Sequence, residues 1–291
     1  MSVDKLQDKI RAMKNPTVLG LSPTSELMPP HLLEESSDLA AAYETFCCTL
    51  LEKLKPIVPA VQVQAVCFAI LGPRGMEAMG KVLECAKALD YYVILDADLS
   101  LPPQIAESVA KDWFATEDFA ADALTLNGYL GSDSVKPFAA AAKRSGKDLF
   151  VTVKSPNRSG TEVQDLLSGG RLVHTAMADL VNRWGQDLYG RYGYSQVGAI
   201  VGAPFADAIR SLRSKYNRMF FLVTGYASQS GNAKGASCAF DRLGQGAAVC
   251  AARYILGAWQ QEGADPKAYA DLSYAAAERM KKNLSKYILI M

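Results

Sequence analysis

YYVILDADLSLPPQIAESVA, residues 91–110, passes from an apolar run to two acids, a short loop and a helical pattern. Tyr91 to Leu95 is aromatic and apolar without alternation, as in a parallel strand covered on both faces. Asp96 and Asp98 close the run. Side chains two apart on a strand share a face, so the two carboxylates are expected together, roughly 6–7 Å apart by strand rise. Pro102 and Pro103 suit a helix start, where a missing N–H costs nothing, and the spacing predicts a helix over Pro103–Phe114. A buried strand that ends in two acids facing one way is a place where an active site can be built.

The same unit recurs on both sides of this stretch. Strands are expected at Thr17–Leu21, Val58–Gln64, Tyr91–Asp98, Ala123–Tyr129, Leu149–Ser155, Val197–Ala203, Met219–Gly225 and Gly246–Ala252. A short helix precedes the first. Helical patterns follow the others, at Leu33–Leu54, Gly72–Leu89, Val135–Ser145, two pieces within Gly160–Trp184, Pro204–Lys215, from Arg253 onward, and about Lys267–Tyr287. A polar loop runs from Tyr226 to about Gly235. No linker or low-complexity tract divides the 291 residues. Strand–helix alternation implies a parallel sheet, and eight units imply a closed α/β barrel of the (β/α)8 TIM type, one domain over 1–291 with helical extensions at both ends. No G-x-G-x-x-G turn follows the first strand, which argues against an open dinucleotide-binding sheet.

The charge balance excludes several classes. Lys and Arg number 31 against 30 Asp and Glu, a net charge of +1, so nothing global favours nucleic acid or a membrane surface. No apolar run has membrane-spanning length, and the charged, amphipathic N-terminus has no signal core, so a cytoplasmic protein is expected. The six cysteines show no C-x-x-C spacing and sit among apolar residues, which reads as reduced, buried thiols. His31 and His174 read as surface or packing residues.

In a barrel the functional groups lie at the C-terminal ends of the strands. Here that selects Ser22, Gln62, Asp96, Asp98, Asn127, Lys154, the 225–231 loop and Arg253. Loops after the last two strands of such barrels commonly hold phosphate, through backbone N–H groups and a cation. Gly225 to Gly231 and Arg253 occupy those places.

Several stretches together resemble one family: ILGPRGMEAM, LDAD, TLNGYLGSDSVKPF, VKSPN, IVGAPF, TGYASQSG and the arginine after the eighth strand. The chain is similar to orotidine 5′-phosphate decarboxylases of pyrimidine (UMP) biosynthesis, in their longer bacterial branch. The resemblance implies a barrel that forms a homodimer through its strand-end face. It implies a ligand, UMP-like or a sugar phosphate, held by its phosphate at Gln229 and Arg253, with Gly231, Ser22, Asn127 and Asn157 among the ligand-binding positions. It implies no metal or organic cofactor.

That family's chemistry uses a Lys–Asp–Lys–Asp array. A carboxylate presses on the substrate carboxylate, and a lysine stabilises and protonates the developing carbanion. Without gaps, the lysine of the second strand falls on Gln62, the first aspartate on Asp96, the central lysine on Asp98 and the last aspartate on Leu101. A threonine four positions further falls on Ile105. A serine of the fifth strand falls on Pro156, while Lys154 and Asn157 remain. Two glycines of the phosphate loop fall on Ala227 and Ser230, which is expected to restrict positive φ there.

Asp98 supplies neither a cation nor a suitable acid, and paired with Asp96 it repels a ligand carboxylate. The expectation is therefore a non-decarboxylating homologue that binds a phosphorylated ligand. Two alternatives stand beside it. One is decarboxylation in a rearranged site that recruits Lys154; the other is a metal-assisted enzyme in which Asp96 and Asp98 hold Mg²⁺.

Overall fold

The computed structural model describes residues 2–115, 121–227 and 229–291. Its strands are β1 (Thr17–Leu21), β2 (Ala60–Gln64), β3 (Tyr92–Leu99), β4 (Ala123–Leu126), β5 (Asp148–Lys154), β6 (Leu167–Ser168), β7 (Arg171–Leu172), β8 (Val197–Gly202), β9 (Phe221–Thr224) and β10 (Ala247–Ala251). Eight of them close into a parallel barrel in the order β1-β10-β9-β8-β5-β4-β3-β2. This is a (β/α)8 TIM barrel. Every residue of β1, β8 and β10 is buried, as strands packed inward on each other and outward on helices must be.

Four of the eight barrel strands, β1, β2, β4 and β8, begin or end where the sequence places them, the others lie within two residues of it, and two departures have clear local causes. β2 starts at Ala60 rather than Val58 because Pro59 has no N–H for the ladder; its carbonyl still accepts from Tyr92 N at 3.1 Å. β4 stops at Leu126 rather than Tyr129. The side chain of Asn127 accepts from Tyr129 N at 3.0 Å and turns the chain.

One helical expectation is corrected, and the two helical pieces expected within Gly160–Trp184 are present with a ribbon between them. Leu33–Leu54 is not one helix but two, Pro30–Glu35 and Leu39–Leu54. Ser36, Ser37 and Asp38 interrupt it, and Asp38 caps the second helix by accepting from Ala41 N at 2.9 Å. Within the connection after β5, a helical turn at Thr161–Gln164 is followed by the antiparallel ribbon β6–β7 before the helix Val173–Trp184. Gly169 and Gly170 form its turn, with φ of +58° and +76°, the backbone a two-residue hairpin needs. The expected polar loop after β9 also contains a short helix, Ala233–Ser237, capped by Asn232.

The outer layer is tied to the barrel by apolar packing and a few buried polar latches. Phe46 stacks on Tyr269 of the C-terminal helix Tyr269–Leu284, with centroids 5.2 Å apart. Arg213 is 9% exposed. It donates to the carbonyls of Ala239, Met219 and Gly246 at 2.7–2.8 Å and covers the Phe221 ring. Burial lowers its guanidinium to about 10, yet the carbonyls keep its N–H groups satisfied. All six cysteines are free; Cys47 and Cys250 are buried and the other four are half-buried rather than buried. Among the described residues no helix is long and apolar enough to cross a membrane.

Candidate active site

A cavity of about 420 Å³ opens at the C-terminal ends of the barrel strands, the end at which such barrels carry their sites. Ser22 reaches it from the end of β1, Gln62 and Gln64 from β2, and Asp96 and Asp98 from β3. Thr152, Ser155 and Pro156 line it from β5 and its continuation; Thr224, Gly225 and Gln229 come from the end of β9 and its loop, and Cys250 and Ala252 from β10. Among the described lining residues the only charged side chains are Asp96 and Asp98.

The acids are not placed by regular alternation. The pairing of β3 with β4 shifts register between Leu95 and Leu99, and Asp98 has φ +44°. A shift of this kind re-aims side chains at a strand end, and Asp tolerates the left-handed region better than most residues. Both carboxylates still line the cavity, Asp96 half-buried and Asp98 exposed.

Asp96 is held tightly. Thr125 donates to Oδ1 at 2.6 Å, and the Gln62 amide donates to Oδ2 at 2.5 Å. The Thr125 hydroxyl oxygen also accepts from Asp98 N at 2.9 Å, so one threonine fixes both acids. Burial pushes the Asp96 carboxyl up, the two hydrogen bonds oppose that, and the charge of Asp98 adds to it. Burial and Asp96 together push the Cys250 thiol up, which keeps it protonated and inert.

Lys154 is engaged elsewhere. Its side chain is 1% exposed, and Nζ donates to Asp165 Oδ1 at 2.7 Å and lies 4.3 Å from the Phe205 ring centre. It does not line the cavity. Burial acts to raise the Asp165 carboxyl, but Lys154 and His174 outweigh it and hold that group below the usual carboxylate range. His174 accordingly packs, its Nδ1 3.1 Å from Asp165.

The loop after β9 holds left-handed backbone at three described positions, two of them not glycine. Gly225, Ala227 and Ser230 have φ of +78°, +60° and +68°. The expected restriction at Ala227 and Ser230 is thus corrected: both hold the left-handed backbone with a Cβ present. The loop is pinned by Ala227 N donating to Gly231 O at 2.8 Å. A Cβ on Gly231 would lie 2.5 Å from both Ala203 Cβ and Gly225 O. Arg253 stands at the start of the short helix Arg253–Leu256, outside the cavity lining, 3.5 Å from Glu26 with both side chains exposed.

The remaining expected positions lie off the cavity. Asn127 serves its own turn. Asn157 precedes the turn Arg158–Gly160, and its carbonyl accepts from Gly160 N. Leu101 donates its N–H to Ser134 Oγ at 3.1 Å and packs against the core. Gln64 was visible in the sequence as the same-face neighbour of Gln62; Thr125, Thr152 and Thr224 carried no comparable signal. Among the described residues no group of three His, Cys, Asp or Glu side chains is arranged to hold a metal.

The sequence model of the orotidine 5′-phosphate decarboxylase / HUMPS family matches residues 38–264. The chain belongs to this family. An orotidine 5′-phosphate decarboxylase of Rhodopirellula baltica is 33% identical over 282 residues, covering 92% of this chain and 93% of that protein. One of Clostridium acetobutylicum is 29% identical, covering 98% and 99%. The solved structure of Leishmania donovani OMP decarboxylase superposes with a TM-score of 0.74 at 25% identity, covering 97% of this chain and 99% of that one.

Proposed function

We propose that this chain is a non-decarboxylating member of the orotidine 5′-phosphate decarboxylase family that binds a phosphorylated small molecule in the cavity at its strand ends. The observation that carries the reading is the charge of that cavity: two carboxylates, with no lysine, arginine or histidine among the described lining residues. Decarboxylation builds negative charge on carbon, and a site accelerates it by placing a cation or acid where that charge develops. Asp98 stands where the family's central lysine would be, and beside Asp96 it repels both the substrate carboxylate and the carbanion.

Recruitment of Lys154 is disfavoured by its bond to Asp165. The phosphate half is supported by Gln229 at the cavity wall, by the left-handed turns of the loop and by Arg253. Its ion pair to Glu26 is exposed at both ends and contributes little, so the guanidinium is free to turn to an anion. A homodimer through this same end is supported by exposed apolar side chains on the segments after β2, β3 and β4: Val66, Ile70, Ile105, Tyr129 and Leu130.

The test is a turnover assay with orotidine 5′-phosphate, run beside calorimetric titration of UMP and ribose 5-phosphate. The expected result is no decarboxylation above the uncatalysed rate, together with binding that weakens at least tenfold in Arg253→Ala. Turnover at an enzymatic rate overturns the reading. Sedimentation of the protein and of Ile70→Asp checks the dimer, which is expected to dissociate in the variant.

A further inference from the structure

The chemistry of the cavity wall at β2 and β3 specifies what it accepts. Asp96 and Asp98 present carboxylate oxygens. Gln62, 7% exposed at the same wall, has its amide oriented by Asp96: Nε2 donates to the carboxylate, because the opposite orientation would set oxygen against oxygen. The remaining amide atom, Oε1, is an acceptor and has no hydrogen-bond partner. On the β9 side, the Thr224 hydroxyl is likewise unpartnered. A buried acceptor without a donor is costly, and a pair of carboxylates in a half-enclosed site lowers its energy by meeting positive charge. Among the described residues none lines the cavity: Lys154 is neutralised by Asp165, and Arg253 lies outside by Glu26.

Two kinds of ligand meet that demand, a divalent ion or an organic ammonium. Both oxygens of Asp96 already accept a hydrogen bond, which leaves Asp98 as the one acid with uncommitted side-chain oxygens, too few for a divalent ion that wants a ring of oxygens. An ammonium needs only a few acceptors and donates in several directions.

We propose that the occupant of this cavity is a phosphorylated amine: a compound with its phosphate toward Gln229 and Arg253 and a protonated amino group toward Asp96 and Asp98. This rests on the phosphate reading above and adds the recognition of the opposite end. An amino-sugar phosphate is of a size to fit about 420 Å³.

The experiment titrates the purified full chain calorimetrically with glucosamine 6-phosphate, glucose 6-phosphate and glucosamine, and repeats the series with Asp98→Asn. Asparagine tolerates the same left-handed backbone, so the variant folds. The expected result is at least tenfold tighter binding of glucosamine 6-phosphate than of glucose 6-phosphate, falling below threefold in Asp98→Asn. Equal affinity for the two phosphates, or a preference that survives in Asp98→Asn, overturns the proposal and leaves the phosphate reading in place. Glucosamine binding as tightly as its phosphate supports amine recognition and removes the phosphate reading. No binding by any of the three overturns both.

Discussion

The side-chain amide of Gln62 donates to Asp96 Oδ2 at 2.5 Å across the paired strands β2 and β3. A neutral amide on the second strand thus holds the first carboxylate of the third in place. It does so without adding charge, and Asp96 stays desolvated and shifted up. Replacing the amide leaves the carboxylate with Thr125 alone. Gln62→Met is expected to cost about 2 kcal/mol, the usual worth of a hydrogen bond to a charged group. Because the carboxyl is shifted up, its charged form is the expensive one. The loss in urea melts is expected to be larger at pH 7.5 than in acid, where Asp96 is neutral and needs its donors less.

The barrel was legible in the sequence because its strands are short apolar runs separated by helical periods; β1 is read to the residue at Thr17 and Leu21. Asp96, Asp98, Gln62 and Ser22 were legible as cavity-lining residues because strand ends in a barrel face one cavity, and Gln229 because the loop after the seventh barrel strand borders it. What escaped depended on contacts between segments distant in sequence. Lys154 sits at a strand end like the others, but its amino group is taken by Asp165, which lies in a connection with no period to place it. The ribbon β6–β7 was hidden because two residues per strand are too few to alternate, and only Gly169-Gly170 marks it. The register shift at β3 comes from pairing with β4, which the acids themselves do not encode.

The loop after β9 gives paired tests of backbone strain. An L-residue in the left-handed region costs roughly 1–2 kcal/mol, and glycine gives back part of that as unfolded-state entropy. Ala227→Gly is therefore expected to be neutral or to stabilise by about 0.5 kcal/mol. Gly225→Ala meets the opposite situation: φ is +78° and a Cβ would lie 2.4 Å from Pro156 Cβ. It is expected to destabilise by about 2 kcal/mol or more, with thermal midpoints separating the two variants.

Asp148, at the start of β5, is 1% exposed and accepts from the Tyr92 hydroxyl. Burial pushes its carboxyl up to about 8, against the hydrogen bonds of Tyr92 and Ser2. The folded state therefore binds a proton that the unfolded chain has released above its ordinary value near 4. Stability attributable to this group falls as pH rises from about 4 and levels off above about 8. Asp148→Asn keeps an acceptor for Tyr92 and has no proton to lose. Its thermal midpoint is expected to match the parent near pH 4 and to exceed it at pH 8, and equal slopes of midpoint against pH would contradict this assignment.

The Lys154–Asp165 pair is asymmetric, and the asymmetry predicts which half tolerates loss. The lysine side chain is 1% exposed and the aspartate 36%. Removing the aspartate, in Asp165→Ala, strands an ammonium in the interior beside the Phe205 ring, a situation that costs about 3–5 kcal/mol. Removing the lysine, in Lys154→Met, fills the same volume with an apolar chain, and Asp165 keeps His174 and its share of solvent. That variant is expected to lose about 1 kcal/mol at most. Denaturant melts of the two single variants check the order, and the double variant is expected to recover most of what Asp165→Ala loses, because the stranded charge is gone. A recovery of less than half would mean that Asp165 acts chiefly through His174 and the chain connection rather than through the lysine.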